Sequence, residues 1–265
     1  MNHLSTPSRL FALLLTLAFL LAACQPQTPT PTEAPAGVPA QPATETPAPA
    51  MPEDPNSISR DIWLDPALAR DADSMRINQY LYEGLVTLDA SGNPQPGIAE
   101  SWLISEDTLA YTFVIRPDAV FSDGSPITPD DIVANVTRWL DPESPLRGEG
   151  NYEAWQEVFD GFLGEKDSDG RPVSPVDGVQ KVDFNTVILH LNRPVPDLLV
   201  HLANPALVVL KPGALEQANY GKITSTIVSS GPYVVSSWTS DGLVLSPNPA
   251  YWGMVAQVEM EFTFR

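Results

Sequence analysis

The chain has 265 residues, with 33 acidic against 14 basic side chains, a formal net charge of −19 and a single cysteine. That balance offers no basic stripe to displace counterions from phosphate, so no nucleic-acid partner is expected, and one cysteine excludes both an intrachain disulfide framework and a Cys-based zinc site. A hydrophobic content of 43% with 8% aromatics belongs to a globular body and not to a disordered acidic tail.

Residues 1–9 carry one Arg and no acid, and Leu10 to Leu21 is almost wholly apolar. A bilayer span needs about 20 apolar residues, so the run reads as a secretory signal. It ends in Leu21-Ala22-Ala23-Cys24, which resembles the bacterial lipobox. That resemblance implies removal of residues 1–23 and lipidation of Cys24, the only cysteine in the chain. Each buried acyl CH₂ contributes about 0.8 kcal/mol, so two or more chains would hold the body firmly at a membrane. Gln25 to Pro55 is dense in Pro, Thr, Ala and Glu. It lacks the apolar surface to offset its ordering entropy, and reads as an extended tether rather than a Pro-rich ligand. The expected organisation is a signal over 1–23, a tether over 24–55 and a folded body over 56–265.

Within the body, Ile58 to Leu64 reads as an opening strand. Asp73 is placed to cap a helix running to about Leu85, with Met75, Ile77, Leu81 and Leu85 among its apolar positions. Ala110 to Ile115 is β-branched and aromatic on both faces, the pattern of a strand covered on both sides. Phe121-Ser122-Asp123-Gly124 reads as a turn. Thr128-Pro129-Asp130-Asp131 is the best local signal: a capping hydroxyl, Pro at the first helical position and two acids at the positive helix end. The helix it starts carries Ile132, Val133, Val136, Trp139 and Leu140 on one face and stops at Asp141-Pro142.

Pro142 to Pro175 is rich in Gly, Pro and acids around a short helix over Tyr152 to Phe159. Val179 to Val182 and Thr186 to Leu191 read as a hairpin, Asp197 to Ala203 as a helix and Leu207 to Leu210 as a strand. Tyr233 to Ser236 and Leu243 to Ser246 form a second hairpin. Val258, Met260 and Phe262 alternate with polar residues as a half-buried strand does. The class is α/β, mixed α+β, without internal repeats.

No motif for hydrolysis, phosphate binding or dinucleotide binding is present, and no enzyme activity or cofactor is expected. His190 and His201 read as packing or surface residues. Asp167-Ser168-Asp169-Gly170 resembles a calcium loop but lacks the glutamate at the later spacing, so a plain turn is expected and no metal site. Asn135-Val136-Thr137 fits a glycosylation sequon, which carries little weight behind a lipobox.

The order of several segments carries a wider resemblance. Leu64-Asp65-Pro66, Tyr82-Glu83-Gly84-Leu85 and Pro96-Gly97-Ile98-Ala99-Glu100-Ser101-Trp102 come first. Tyr111-Thr112-Phe113, Phe121-Ser122-Asp123-Gly124, Leu191-Asn192-Arg193-Pro194, Ser230-Gly231-Pro232-Tyr233 and Asn248-Pro249-Ala250-Tyr251-Trp252-Gly253 follow. In this order they resemble the family 5 extracellular solute-binding proteins, the peptide- and nickel-type receptors of ABC importers. Ser122 stands where that family usually has His.

The resemblance implies a type II periplasmic-binding-protein-like fold: lobe I with a small subdomain at about 140–210, the second lobe missing. It implies capture of a peptide or similar small solute outside the cytoplasmic membrane and delivery to ABC permease subunits. In such proteins two lobes close on the ligand, so a single lobe is expected to bind weakly. On lobe I it points to Arg70, Asp71 and Ala72 and to the turn Ser229, Ser230 and Gly231 as positions near the cleft. Ordinary loop chemistry explains both groups equally well. The alternative is an envelope scaffold or adhesion lipoprotein built on half of the binding fold.

Overall fold

The computed structural model describes residues 54–265; the expected signal, Cys24 and nearly all of the expected tether lie outside them. Three sheets organise the described chain. The first has the order β1-β10-β9-β8, formed by β1 (Ser57–Ile58), β8 (Tyr233–Trp238), β9 (Gly242–Pro247) and β10 (Met260–Phe264). The β1–β10 pair is parallel and the others antiparallel. A small sheet pairs β2 (Val86–Leu88) with β3 (Pro94–Pro96). The third, antiparallel throughout, has the order β4-β5-β7-β6, from β4 (Ala99–Ile104), β5 (Ala110–Ile115), β6 (Val176–Lys181) and β7 (Thr186–Leu191). Residues 140–210 thus add two strands to the sheet that β4 and β5 begin.

The edge strands β4, β6 and β8 each contain a register shift, at Ala99/Ser101, Val176/Gly178 and Val235/Ser237. Such bulges twist an edge away from further pairing, which protects an exposed backbone ladder.

Helix α1 (Ala72–Leu81) packs on the first sheet, where Ile77, Leu81, Leu243, Leu245 and Phe262 share one core. Helix α2 (Pro129–Leu140) covers the inner face of the third sheet. Its start is fixed as expected: the Asp131 carboxylate accepts from the Thr128 N–H at 2.8 Å and from the Thr128 hydroxyl at 2.7 Å. Helix α3 (Glu153–Phe159) extends that core through Trp139, Trp155 and Phe159, whose rings follow one another at 6.3 and 4.2 Å between centroids. Short helices α4 (Leu198–Leu202) and α5 (Pro212–Leu215) complete the set.

Several expectations are corrected. Of the expected opening strand, Ile58 to Leu64, only Ile58 is strand, with Ser57 before it; beyond it the Trp63 N–H donates to Ser74 Oγ instead of to a ladder. The cap of α1 is Asp71, not Asp73, and the helix ends at Leu81 because Tyr82 turns to extended backbone. Strand β5 is covered on one face only; Tyr111, Phe113 and Ile115 are buried and their neighbours half-buried. Leu207 to Leu210 is buried but makes a single bridge, Val208 to Gly84, in place of a strand. The Asp167 carboxylate accepts from the backbone of Asp169 and Arg171, each at 2.9 Å, which is the plain turn expected. Asn135 is fully buried; its amide donates to Leu210 O and accepts from Leu210 N, so the sequon is a structural residue.

Candidate functional site

The segment after Leu64 is held from below. Asp65 is buried, its backbone carbonyl accepts from Leu68 and Ala69, and its side chain pairs with Arg138 of α2. This anchoring sets out Ala67 to Arg70 as a fixed loop. Asp71 follows as the N-cap of α1, accepting from Ser74 N at 2.8 Å and Ser74 Oγ at 2.5 Å. Ala72 is the first residue of the helix.

Across from the loop stands the start of α3. Tyr152 sits in the left-handed region at φ 50°, ψ 47°, a costly conformation for a bulky side chain. Burial of its ring compensates: the hydroxyl donates to Arg147 O, and the Arg147 guanidinium lies 4.0 Å from the ring centroid. Burial also pushes the Tyr152 hydroxyl up to about 12, against the opposing charges of Arg138 and Arg147. With the ring fixed inward, α3 starts with Glu153 turned toward the loop. Arg70 Nη1 and Glu153 Oε1 are 3.3 Å apart, both more than half exposed.

Between these walls lies a cavity of about 270 Å³. Its lining joins Ala67 to Arg70 and Met75 with Asn151, Glu153, Glu157 and Asn204. The arrangement is concave, partly polar and of mixed charge, with an arginine and two glutamates at its mouth. It offers hydrogen-bonding and charged groups to a small polar molecule, and its lining carries no nucleophile–base pair.

The second expected group stands elsewhere. Ser229 and Ser230 are fully buried. The N–H groups of Ser230 and Gly231 donate to Leu81 O at the C-terminal end of α1, at 3.1 and 2.9 Å. Ser230 Oγ donates to Val209 O and accepts from Glu83 N. A helix of ten residues is about 15 Å long, so α1 separates this turn from Arg70, which stands at its other end. The Ser122 N–H donates to Ser229 O and the Ser229 N–H donates to Ser122 Oγ, yet the Ser229 hydroxyl has no partner among the described residues. Of the first group only Arg70 lines this cavity; Asp71 and Ala72 follow it into α1 without lining it, and Ser229, Ser230 and Gly231 stand apart from it.

Asn151, Glu153, Glu157 and Asn204 were missed. Eighty or more residues separate them from Arg70, and only the tertiary fold joins them. Among the described residues there is no group of acids and histidines that could hold a metal, and no helix long and apolar enough to cross a membrane.

The same architecture occurs in solved periplasmic binding proteins. The chain is similar in fold to HbpA2 from Haemophilus parasuis, with a TM-score of 0.65 at 24% identity, over 79% of this chain and 42% of that one. The fold is thus a partial type II periplasmic-binding-protein fold of mixed α/β class. Residues 93–263 match the bacterial extracellular solute-binding proteins, family 5 Middle, and the chain belongs to that family. It is 31% identical over 207 residues to the periplasmic oligopeptide-binding protein OppA of Escherichia coli K12, covering 76% of this chain and 36% of the relative. It is 30% identical over 205 residues to the periplasmic murein peptide-binding protein MppA of the same strain, covering 76% and 37%. The chain spans little more than a third of the length of these curated relatives.

Proposed function

We propose that this chain is a ligand-capturing wall of an ABC importer's substrate-binding component, with peptides or similar small solutes as cargo and the permease subunits as partners. The observation that carries the reading is the cavity at the N-terminal end of α1, where Arg70 faces Glu153 and Glu157. A short peptide offers both signs of charge at its termini and a row of backbone donors and acceptors. A mixed-charge concave wall suits such a ligand without selecting one side chain. In this reading Arg70 touches the ligand, while Asp71 and Ala72 fix where it stands. Ser229, Ser230 and Gly231 act from the opposite end of α1 by holding its last carbonyl. Cys24 is the lipid-anchor residue and Gln25 to Pro55 the tether, which keeps the acidic body on the extracytoplasmic side of the membrane.

The test is photoaffinity labelling of the full chain with a short peptide carrying a benzophenone, followed by peptide mapping. Labelling is expected on Ala67 to Arg70 and on Asn151 to Glu157, and competition by unlabelled peptide should remove it. Label spread over the surface, or resistant to competition, would sink the reading.

A further inference from the structure

The sheet β4-β5-β7-β6 buries one face under α2, and its other face is free of charged side chains. The registers place Leu103, Thr112, Ile188 and Gln180 in one row across all four strands. Ser101, Val114 and Thr186 form the row on one side of it, and Ala110, His190 and Gly178 the row on the other. None of these residues is Asp, Glu, Lys or Arg, although 18% of the chain is charged and its net charge is −19. The face that a sheet turns to water is ordinarily its polar one. Here Leu103 is 72% exposed, and Val114 and Ile188 are half-buried. Beside Thr186, at the turn between β6 and β7, Val182 and Phe184 are 51% and 84% exposed. Charge returns at the margin, with Glu100 and Asp177, the extra residues of the bulges in β4 and β6.

We propose that this face pairs with the same face of a second copy of the chain. Charge selects the occupant. Two bodies of like sign repel over most of their surfaces, and approach costs least where neither carries charge. A basic partner would gain more by settling on the acidic residues elsewhere. A charge-free face on an acidic body therefore suits a partner as acidic as itself. The pairing is isologous, with the two sheets stacked about 10 Å apart and Leu103 of each copy set against the other's strands. Four strands about 4.8 Å apart and three rows deep give a face of about 400 Å². A stable interface takes about 800 Å² from each partner, so this dimer is reversible and not obligate. The face shares no residue with the cavity beside Arg70.

Sedimentation velocity of the full chain from about 1 µM to about 1 mM, the span in which reversible dimers form, should show a monomer–dimer equilibrium. Added sodium chloride should strengthen the dimer by screening repulsion between the two acidic bodies. Leu103→Glu sets a charge on the face at a position exposed enough to cost the fold little. The two-fold places that charge in the interface twice, so the variant should weaken the dimer about tenfold or more. Val258→Glu makes the same change in net charge at a position 67% exposed and outside this sheet, and should leave the dimer unchanged. A monomer throughout, a dimer that salt weakens, a dimer that survives Leu103→Glu, or equal losses in the two variants would each overturn the proposal. Binding to phosphatidylcholine vesicles that Leu103→Glu abolishes would give the face to lipid and overturn it as well.

Discussion

Arg138, in the last turn of α2, reaches Asp65 in the loop that leads to α1, and both side chains are almost wholly buried, at 1% and 3% exposure. Tyr82 and Tyr220 meet close by, hydroxyl to hydroxyl at 2.9 Å, and Tyr82 also donates to Leu64 O. The pair thus ties the core under the third sheet to the core under the first, and fixes the loop that carries Arg70. Removing one partner strands a buried charge. Asp65→Asn should destabilise the body by about 3–5 kcal/mol, whereas Arg138→Met with Asp65→Leu should recover most of that loss. Urea unfolding of the three proteins measures it; equal losses in the single and double variants would mean that packing, not charge, sets the cost.

Gly231 tests the other end of α1. A Cβ built on it would meet the carbonyl carbon of Leu81 at 2.9 Å, backbone against backbone. The Gly231 N–H also donates to Leu81 O, so the two chains have no freedom to separate. Gly231→Ala should cost about 1–3 kcal/mol, the range of overpacking in a rigid core. Gly213→Ala is the control, since nothing lies within 4 Å of its would-be Cβ. Similar melting temperatures for the two variants would refute the close approach.

These two relationships show where sequence reading succeeds and where it stops. Local chemistry was legible: Thr128-Pro129-Asp130-Asp131 starts α2, and Asp167 closes a turn with its own carboxylate. Short-range competition was harder. Asp71 and Asp73 both suit a cap, and the choice falls to Asp71 because its carboxylate lies within reach of Ser74 N, while Asp73 is drawn to the Ser59 N–H and Arg265. The apolar run Leu207 to Leu210 reads as strand but is consumed by contacts to Gly84, Glu83 and Asn135. Of the candidate cavity, one edge was legible. Arg70 came from the order of motifs, whereas Glu153 reaches it only because Tyr152 adopts a positive φ that no residue pattern announces.

The Arg70–Glu153 pair separates binding from stability. With side chains 58% and 53% exposed, such a pair contributes about 0–1 kcal/mol to folding. Arg70→Glu should leave the melting temperature nearly unchanged and abolish peptide photolabelling in the cavity. A large drop in melting temperature would instead assign Arg70 a structural role.

Cys24→Ala addresses the anchor. Expressed in a bacterial host and partitioned in detergent, the wild-type chain should enter the detergent phase and the variant the aqueous phase, since two or more acyl chains hold a protein stably at a membrane. Equal partition of the two would remove lipidation from the proposed function.

The last prediction sets two carboxylates against each other in pH. Burial pushes the carboxyl of Glu83 above its ordinary value, opposed by the hydroxyl of Tyr251, which donates to it at 2.8 Å, and by the charge of Arg116. The folded state therefore binds this proton more tightly than the unfolded chain. Stability falls as pH rises from the ordinary glutamate range through the folded value, and the full cost of the buried charge remains above it. Asp123 is the reverse: hydrogen bonds from Lys211 and Ser125 hold its carboxyl down at about 2. Its contribution is complete above the ordinary aspartate range and is lost as pH falls toward about 2. At 40% side-chain exposure solvent screens the Asp123–Lys211 pair, so that effect is small. Glu83→Gln keeps an acceptor for Tyr251 and removes the titration. Its melting temperature relative to wild type should rise between pH 4 and neutrality, about the window set by ordinary carboxyl values. Asp123→Asn should fall relative to wild type as pH rises from about 2 to about 5. Slopes of the same sign in the two variants would contradict the opposite environments of these carboxylates.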